Sequence, residues 1–153
     1  MRLFVRSVFA VALVVLPACG DEGPDVERFT AALSGANEVP ATATAATGTE
    51  TFTYDGNSIQ YQIDIAGPLD SITLAHIHTG AAGVNGGVVL NLFLGPTTGQ
   101  GFNGTLVNGV TTIPSGITMD SVVSLMRSGN AYANVHTRVN GGGAIRGQTA
   151  LVP

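Results

Sequence analysis

Apolar and polar residues alternate one by one along several short stretches of this chain. In the clearest stretch, residues 58–65, three isoleucines and a tyrosine occupy every second position. Glu50, Phe52 and Tyr54 alternate with threonines in the same way, and an Asp-Gly-Asn turn sequence at 55–57 separates the two stretches. Because side chains of a strand point alternately to opposite faces, this pattern predicts a β-hairpin with one buried face.

Similar patterns predict further strands, with turns at Gly67-Pro68 and Asn108-Gly109. One stretch is different. Thr118 is a good N-cap, apolar residues follow it at helical spacing, and Gly129 can end the helix. With about eight short strands, the expected fold is all-β: an antiparallel, Greek-key-like β-sandwich with one short helix. The other predicted strands are residues 29–34, 72–78, 87–94, 102–107, 132–137 and 144–152.

The first residues are typical of a secretory signal peptide. Two arginines precede an apolar run at residues 8–16 that is too short to cross a bilayer, and Cys19 follows the small residue Ala18. This arrangement resembles a bacterial lipobox, in which the cysteine is acylated; the alternative is ordinary cleavage that leaves a free thiol. We expect a signal peptide at 1–18, an acidic tether at 19–27 and one domain at 28–153, lipid-anchored in the cell envelope and extracytoplasmic, either periplasmic or on the surface. If Cys19 is not acylated, we expect a secreted protein.

The charge balance excludes one class of partner. Ten acidic residues stand against six basic ones in the 153 residues, and the chain has no lysine. Binding to nucleic acid needs a basic surface that neutralises phosphates. We therefore expect no binding to nucleic acid. The expected partners are the membrane, through the N-terminal lipid, and an unidentified protein or small ligand.

Two of the three histidines are two residues apart in a predicted strand. His76 and His78 therefore share a face, and His136 lies in a second predicted strand. Neutral imidazole is a common ligand of copper and zinc, so the three rings could form one metal site. The alternative is a buried, hydrogen-bonded polar cluster with Asn134, Thr79 or backbone groups. If the site exists, its ring nitrogens should lie roughly 3–4 Å apart.

Arg146 is the other residue that the sequence singles out, because basic residues are scarce. It could bind an anionic group, together with Asn134 and Glu38. The alternative is a structural role, in which Arg146 pairs with a carboxylate such as Glu38 or donates to loop carbonyls. No serine, cysteine or lysine nucleophile stands beside a histidine in a recognisable motif, so we predict no catalytic residue and favour a non-catalytic protein.

Four segments of the chain, in this order, resemble the CHRD (chordin-type) domain. They are an opening segment at Phe29–Pro40, His-Ile-His-Thr-Gly at 76–80, Tyr-Ala-Asn-Val-His-Thr at 132–137 and Ala-Ile-Arg-Gly-Gln at 144–148. Ala144 stands where the family usually has glutamate. The resemblance implies an extracytoplasmic binding or interaction module. A mononuclear copper or zinc protein, either a carrier or a weak redox enzyme, is the alternative.

Overall fold

The computed structural model describes residues 26–111 and 114–153. The predictions on the signal peptide, Cys19 and most of the tether lie outside the described residues. The strands of the described part are β1 (Glu27–Ser34), β2 (Thr47–Tyr54), β3 (Ile59–Leu69), β4 (Ile72–Thr79), β5 (Val88–Phe93), β6 (Phe102–Thr111), β7 (Ala131–Thr137), β8 (Ile145–Gln148) and β9 (Ala150–Leu151). A 3-10 turn at Gly35–Asn37 follows β1, and helix α1 (Met119–Arg127) precedes β7.

Neighbouring strands are antiparallel throughout and form one path in the order β5-β4-β7-β8-β1-β2-β3-β6, with β9 paired to β1. The path curls, so that β5 and β6 at its two ends come into contact. We call β5-β4-β7-β8 the histidine half and β1-β2-β3-β6 the threonine half. The connections β3 to β4, β5 to β6 and β6 to β7 pass between the halves. The prediction of an all-β, antiparallel sandwich is confirmed.

The core lies between the two halves. Phe29, Phe52 and Ile63 reach it from the threonine half, and Ile77 and Val135 from the histidine half, with at most 2 % of each side chain exposed. The alternating pattern of the hairpin is therefore correct: every second residue of β2 is buried. Burial of such apolar side chains is the main force that holds the halves together.

Helix α1 forms as predicted. The Thr118 hydroxyl accepts a hydrogen bond from the Ser121 amide at 3.2 Å, which caps the N-terminus. Val122, Val123 and Met126 are fully buried on one face of the helix. No helix within the described residues is long and apolar enough to cross a membrane.

Two predicted turns are wrong. β6 continues through Asn108 and Gly109, which pair with Gln62 and Tyr61 of β3. Gly109 serves close packing here, because a Cβ atom at this position would lie 2.7 Å from the Tyr61 hydroxyl oxygen. β3 likewise continues through Gly67-Pro68, where a shift in the pairing with β6 accommodates the proline.

The halves join where β8 meets β1. Ser34 and Arg146 form the register pair between these strands. Gly147 lets the backbones approach, because a Cβ atom there would lie 2.3 Å from the Ala32 carbonyl oxygen. This junction, which we call the seam, places Arg146 at the boundary between the halves.

Candidate metal centre

The three histidines lie on the face of the histidine half that points away from the core. Across the strands, His76 of β4 is opposite Asn134 of β7, which in turn is opposite Arg146 of β8. His136 is opposite Leu74 in the neighbouring row. The predicted parity is therefore correct, and antiparallel pairing of β4 with β7 brings His136 to the pair.

Loops cover this face, although it is polar. All seven residues of β7 are buried, including Asn134 at 2 % and His136 at 7 % exposure. The covering segments are residues 35–40, 80–87 and 138–143, and each one exchanges hydrogen bonds with side chains of the face or with another loop. We call residues 80–87 the 80s loop.

The three imidazoles converge. His76 Nδ1 lies 3.1 Å from His136 Nε2, and the ring centroids of the three histidines are 4.9 to 5.6 Å apart. One ligand nitrogen from each ring can be chosen so that all three lie within 4.8 Å of one another. A tetrahedral ion with bonds of 2.0–2.1 Å holds its ligands roughly 3.4 Å apart. The pair of His76 Nδ1 and His136 Nε2, 3.1 Å apart, is already close to this spacing.

Two backbone carbonyls fix the tautomers of two rings. His78 Nδ1 lies 3.0 Å from the Gly86 carbonyl oxygen, and His136 Nδ1 lies 3.1 Å from that of Gly141. A carbonyl can only accept, so each Nδ1 carries the proton and each Nε2 keeps its lone pair. Hydrogen bonds of this kind orient the histidine ligands of metal sites.

The third ring completes the network. Because His136 Nε2 is an acceptor, His76 Nδ1 donates to it. His76 can thus offer its Nε2 as it stands, or its Nδ1 once the proton has moved to Nε2. Only the second form leaves all three lone pairs free, because in the first the lone pair of His136 Nε2 accepts the His76 proton.

Burial keeps these rings neutral. It lowers the pKa of His78 and His136 below the ordinary value of 6.5 and, with the neighbouring rings His136 and His78, brings the pKa of His76 to about 4. Metal binding near pH 7 therefore need not displace the second proton of a charged ring.

Two buried acceptors of this face have no hydrogen-bond partner among the described residues. They are Nε2 of His78 and Oδ1 of Asn134. Buried polar atoms are normally paired, so each unpaired one calls for a ligand, a water molecule or an ion. Both atoms here carry lone pairs, which a cation would complement.

Arg146 donates to loop carbonyls, one of the two structural roles considered from the sequence. Its guanidinium bonds the carbonyl oxygens of Val84 and Ala81 at 2.7 and 3.4 Å and the side chain of Asn85 at 2.9 Å. The other role, a pair with Glu38, does not form. The Glu38 carboxylate instead accepts from the Asn134 amide at 3.2 Å, and burial raises the pKa of Glu38.

Sequence reasoning missed the groups that orient the rings. The carbonyls of Gly86 and Gly141 have no side-chain signal, and they reach the site only through long-range folding. Tyr132 was missed as well: it is stacked on His78 with centroids 5.0 Å apart, and the Arg146 guanidinium lies 3.3 Å from its ring centroid. Its place in β7, opposite His78, was the available signal.

The family of the chain follows from a comparison with family models. The model of the CHRD domain matches residues 29–149, most of the chain and all of the strands that carry the cluster. The chain belongs to the CHRD domain family. No curated protein and no solved structure matches it. Ala144, the departure from the family pattern, is fully buried beside β7, with its amide bonded to the Val135 carbonyl.

Proposed function

We propose that this CHRD-domain chain is an extracytoplasmic, non-catalytic binding module whose ligand is a copper or zinc ion held by His76, His78 and His136. The observation that carries the proposal is the buried, unpartnered Nε2 of His78 beside two further imidazoles. An ion would use the lone pair that no protein group takes up.

The chemistry of the donor set supports this ligand. Three neutral nitrogen donors suit copper and zinc, whereas calcium and magnesium prefer oxygen. Three protein ligands also leave one position open, through which a carrier could receive and release its ion.

A non-catalytic role is supported by the hydrogen bonds of two carboxylates, Asp64 of β3 and Asp70 directly after it. Asp64 accepts hydrogen bonds from Thr105 and Gln62, and Asp70 accepts one from the Gly101 amide. Neither carboxylate forms a hydrogen bond with a histidine that would make it an acid–base partner.

Metal analysis of protein purified without an affinity tag tests the proposal. The chain has only three histidines, all in the cluster, and a variant of one of them separates uptake there from binding by Cys19. We expect one equivalent of copper or zinc, lost in a folded His78→Ala variant and kept in Thr51→Ala, a control on the exposed face of β2. No uptake by the folded wild type would leave a polar cluster without metal as the explanation.

The envelope location is a separate part of the proposal and rests on the lipobox-like sequence around Cys19. An acylated terminus should place the protein in the membrane fraction, because several acyl chains hold far better than one. We expect Cys19→Ser to release the protein. Wild-type protein free in the medium, with a mature terminus that carries no lipid by mass spectrometry, would contradict the anchor.

A further inference from the structure

Arg146 holds the middle of the 80s loop against the histidine half, while backbone bonds of Gly87 with Thr79 and of Gly80 with Asn130 hold its ends. This side chain is 2 % exposed and bonds the loop at Ala81, Val84 and Asn85. Its five N–H donors form a rigid fork, which suits simultaneous contacts with several carbonyls better than the single ammonium of lysine.

The same loop reaches the candidate metal site. Gly86, next to Asn85, accepts the Nδ1 proton of His78, and its amide donates to the Tyr132 hydroxyl at 3.2 Å. The Arg146 guanidinium also lies over the ring of Tyr132, which is stacked on the ring of His78. Arg146 therefore contacts the same loop that carries the Gly86 carbonyl oxygen, which sets the tautomer of His78.

We propose that Arg146 is a positioning residue of the metal site. By holding the 80s loop, it keeps the Gly86 carbonyl on His78 Nδ1 and so leaves Nε2 unprotonated and aimed at the ion. The inference rests on the proposed function for its consequence, metal affinity, but its first step concerns the metal-free protein and can be measured there.

If Arg146 had a purely structural role, its replacement would lower the stability of the protein but leave the histidine tautomers of the folded state unchanged. The positioning role adds a specific signature: without Arg146, the His78 proton distributes over both ring nitrogens, while His136, whose partner is Gly141, keeps its tautomer. His136 is thus an internal control in the same spectrum.

The experiment compares Arg146→Gln with Arg127→Gln, the same change at a half-exposed arginine that pairs with Glu27. Ring nitrogen chemical shifts from ¹⁵N NMR of the metal-free proteins report the tautomers, and titration with copper or zinc reports affinity. We expect a mixed His78 tautomer and an affinity lower by about tenfold to hundredfold in Arg146→Gln alone, the range typical for groups that orient metal ligands. An unchanged His78 tautomer and unchanged affinity in folded Arg146→Gln would overturn the proposal.

Milder variants decide the question if Arg146→Gln does not fold. Asn85→Ala removes the side chain that accepts from Arg146, and Tyr132→Phe removes the hydroxyl that holds the Gly86 amide while keeping the ring. We expect both to shift the His78 tautomer, and a wild-type tautomer in both would overturn the proposal. If the wild type takes up no metal, the proposed function fails, and the tautomer alone decides whether Arg146 positions His78.

Discussion

The outward faces of the two halves both carry polar residues, but only the histidine half covers them. Thr49 and Thr51 of the threonine half are exposed to solvent, whereas Asn134 and His136 of the histidine half lie beneath loops. Covering polar groups costs free energy unless protein partners replace water. Three loops supply such partners, and two acceptors still lack one. The covered polar face thus differs from the exposed one in leaving buried acceptors that no described protein group satisfies.

We expect the largest effect from a substitution that displaces the 80s loop. A Cβ atom at Gly86 would lie 1.8 Å from the Thr79 carbonyl oxygen, whereas one at Gly87 would meet nothing within 4 Å. We expect Gly86→Ala to lower the free energy of unfolding by about 3 kcal/mol and to abolish metal binding, because the 80s loop must move. The control, Gly87→Ala, should stay within about 0.5 kcal/mol of the wild type. Chemical denaturation measures both, and equal stabilities would contradict the close packing of Gly86.

A ligand should stabilise the covered face. If copper or zinc binds the folded state alone, a free concentration one hundred times the Kd adds about 2.7 kcal/mol to the free energy of unfolding. Thermal unfolding with and without metal measures this gain, which we expect to vanish on addition of a chelator and in His136→Ala. A gain of equal size in His136→Ala would place the ion elsewhere.

The threonine half also contains an unpartnered polar group, on its core side. The carboxyl of Glu50 is fully buried, and neither oxygen has a hydrogen-bond partner among the described residues. Burial raises the pKa of Glu50 well above the ordinary value of 4.5. The folded state therefore keeps a proton that the unfolded state releases, and the contribution of Glu50 to stability falls as the pH rises above 4.5 toward the folded-state pKa. The three histidines, whose pKa values burial lowers, act in the opposite direction as the pH rises toward 6.5.

We expect Glu50→Gln to gain stability relative to the wild type between pH 5 and pH 7, because only the wild type loses the Glu50 contribution over this range. Denaturation of the wild type and of Glu50→Gln at both pH values measures it. The difference between the two proteins isolates Glu50, because both contain the same three histidines. A slope that is identical in the two proteins would assign the pH dependence to other groups.

The smallest effect belongs to the exposed face. Thr51→Ala should change the free energy of unfolding by at most about 0.5 kcal/mol and leave metal binding intact. Asn134→Ala, on the covered face, should cost about 1–3 kcal/mol, because it leaves the buried Glu38 carboxylate without its amide partner. Similar losses in these two variants would remove the distinction between the faces.

Local patterns were enough to predict much of this structure. Strict alternation in β3 and the N-cap at Thr118 act over a few residues, so the hairpin and the helix could be read from the sequence. The shared face of His76 and His78 follows from strand parity in the same way. Asn108-Gly109 misled the prediction because glycine has two uses, and here it makes room for Tyr61 of a neighbouring strand.

The parts that could not be predicted depend on distant segments. Glu38 lies 96 positions before Asn134, with which it pairs, and local pattern does not distinguish this partner from Arg146. The Gly86 carbonyl is equally hidden, because every residue has one and only the path of the 80s loop selects it. Sequence therefore indicated which side chains could bind an ion, but not what orients them.

The seam between the halves gives the protein an internal reporter of its own assembly. Arg146 pairs with Ser34 across the seam and, through the 80s loop, acts on the ring of His78. If β8 separates from β1, Arg146 keeps its pairing with β7, but the bonds of Asn37 with the Arg146 carbonyl and of Asn85 with the Val39 carbonyl are lost. We expect the 80s loop then to release the ring of His78. We therefore expect the protonation pattern of one imidazole to report whether β8 and β1 are paired, and an ion bound to this pattern to favour the paired state.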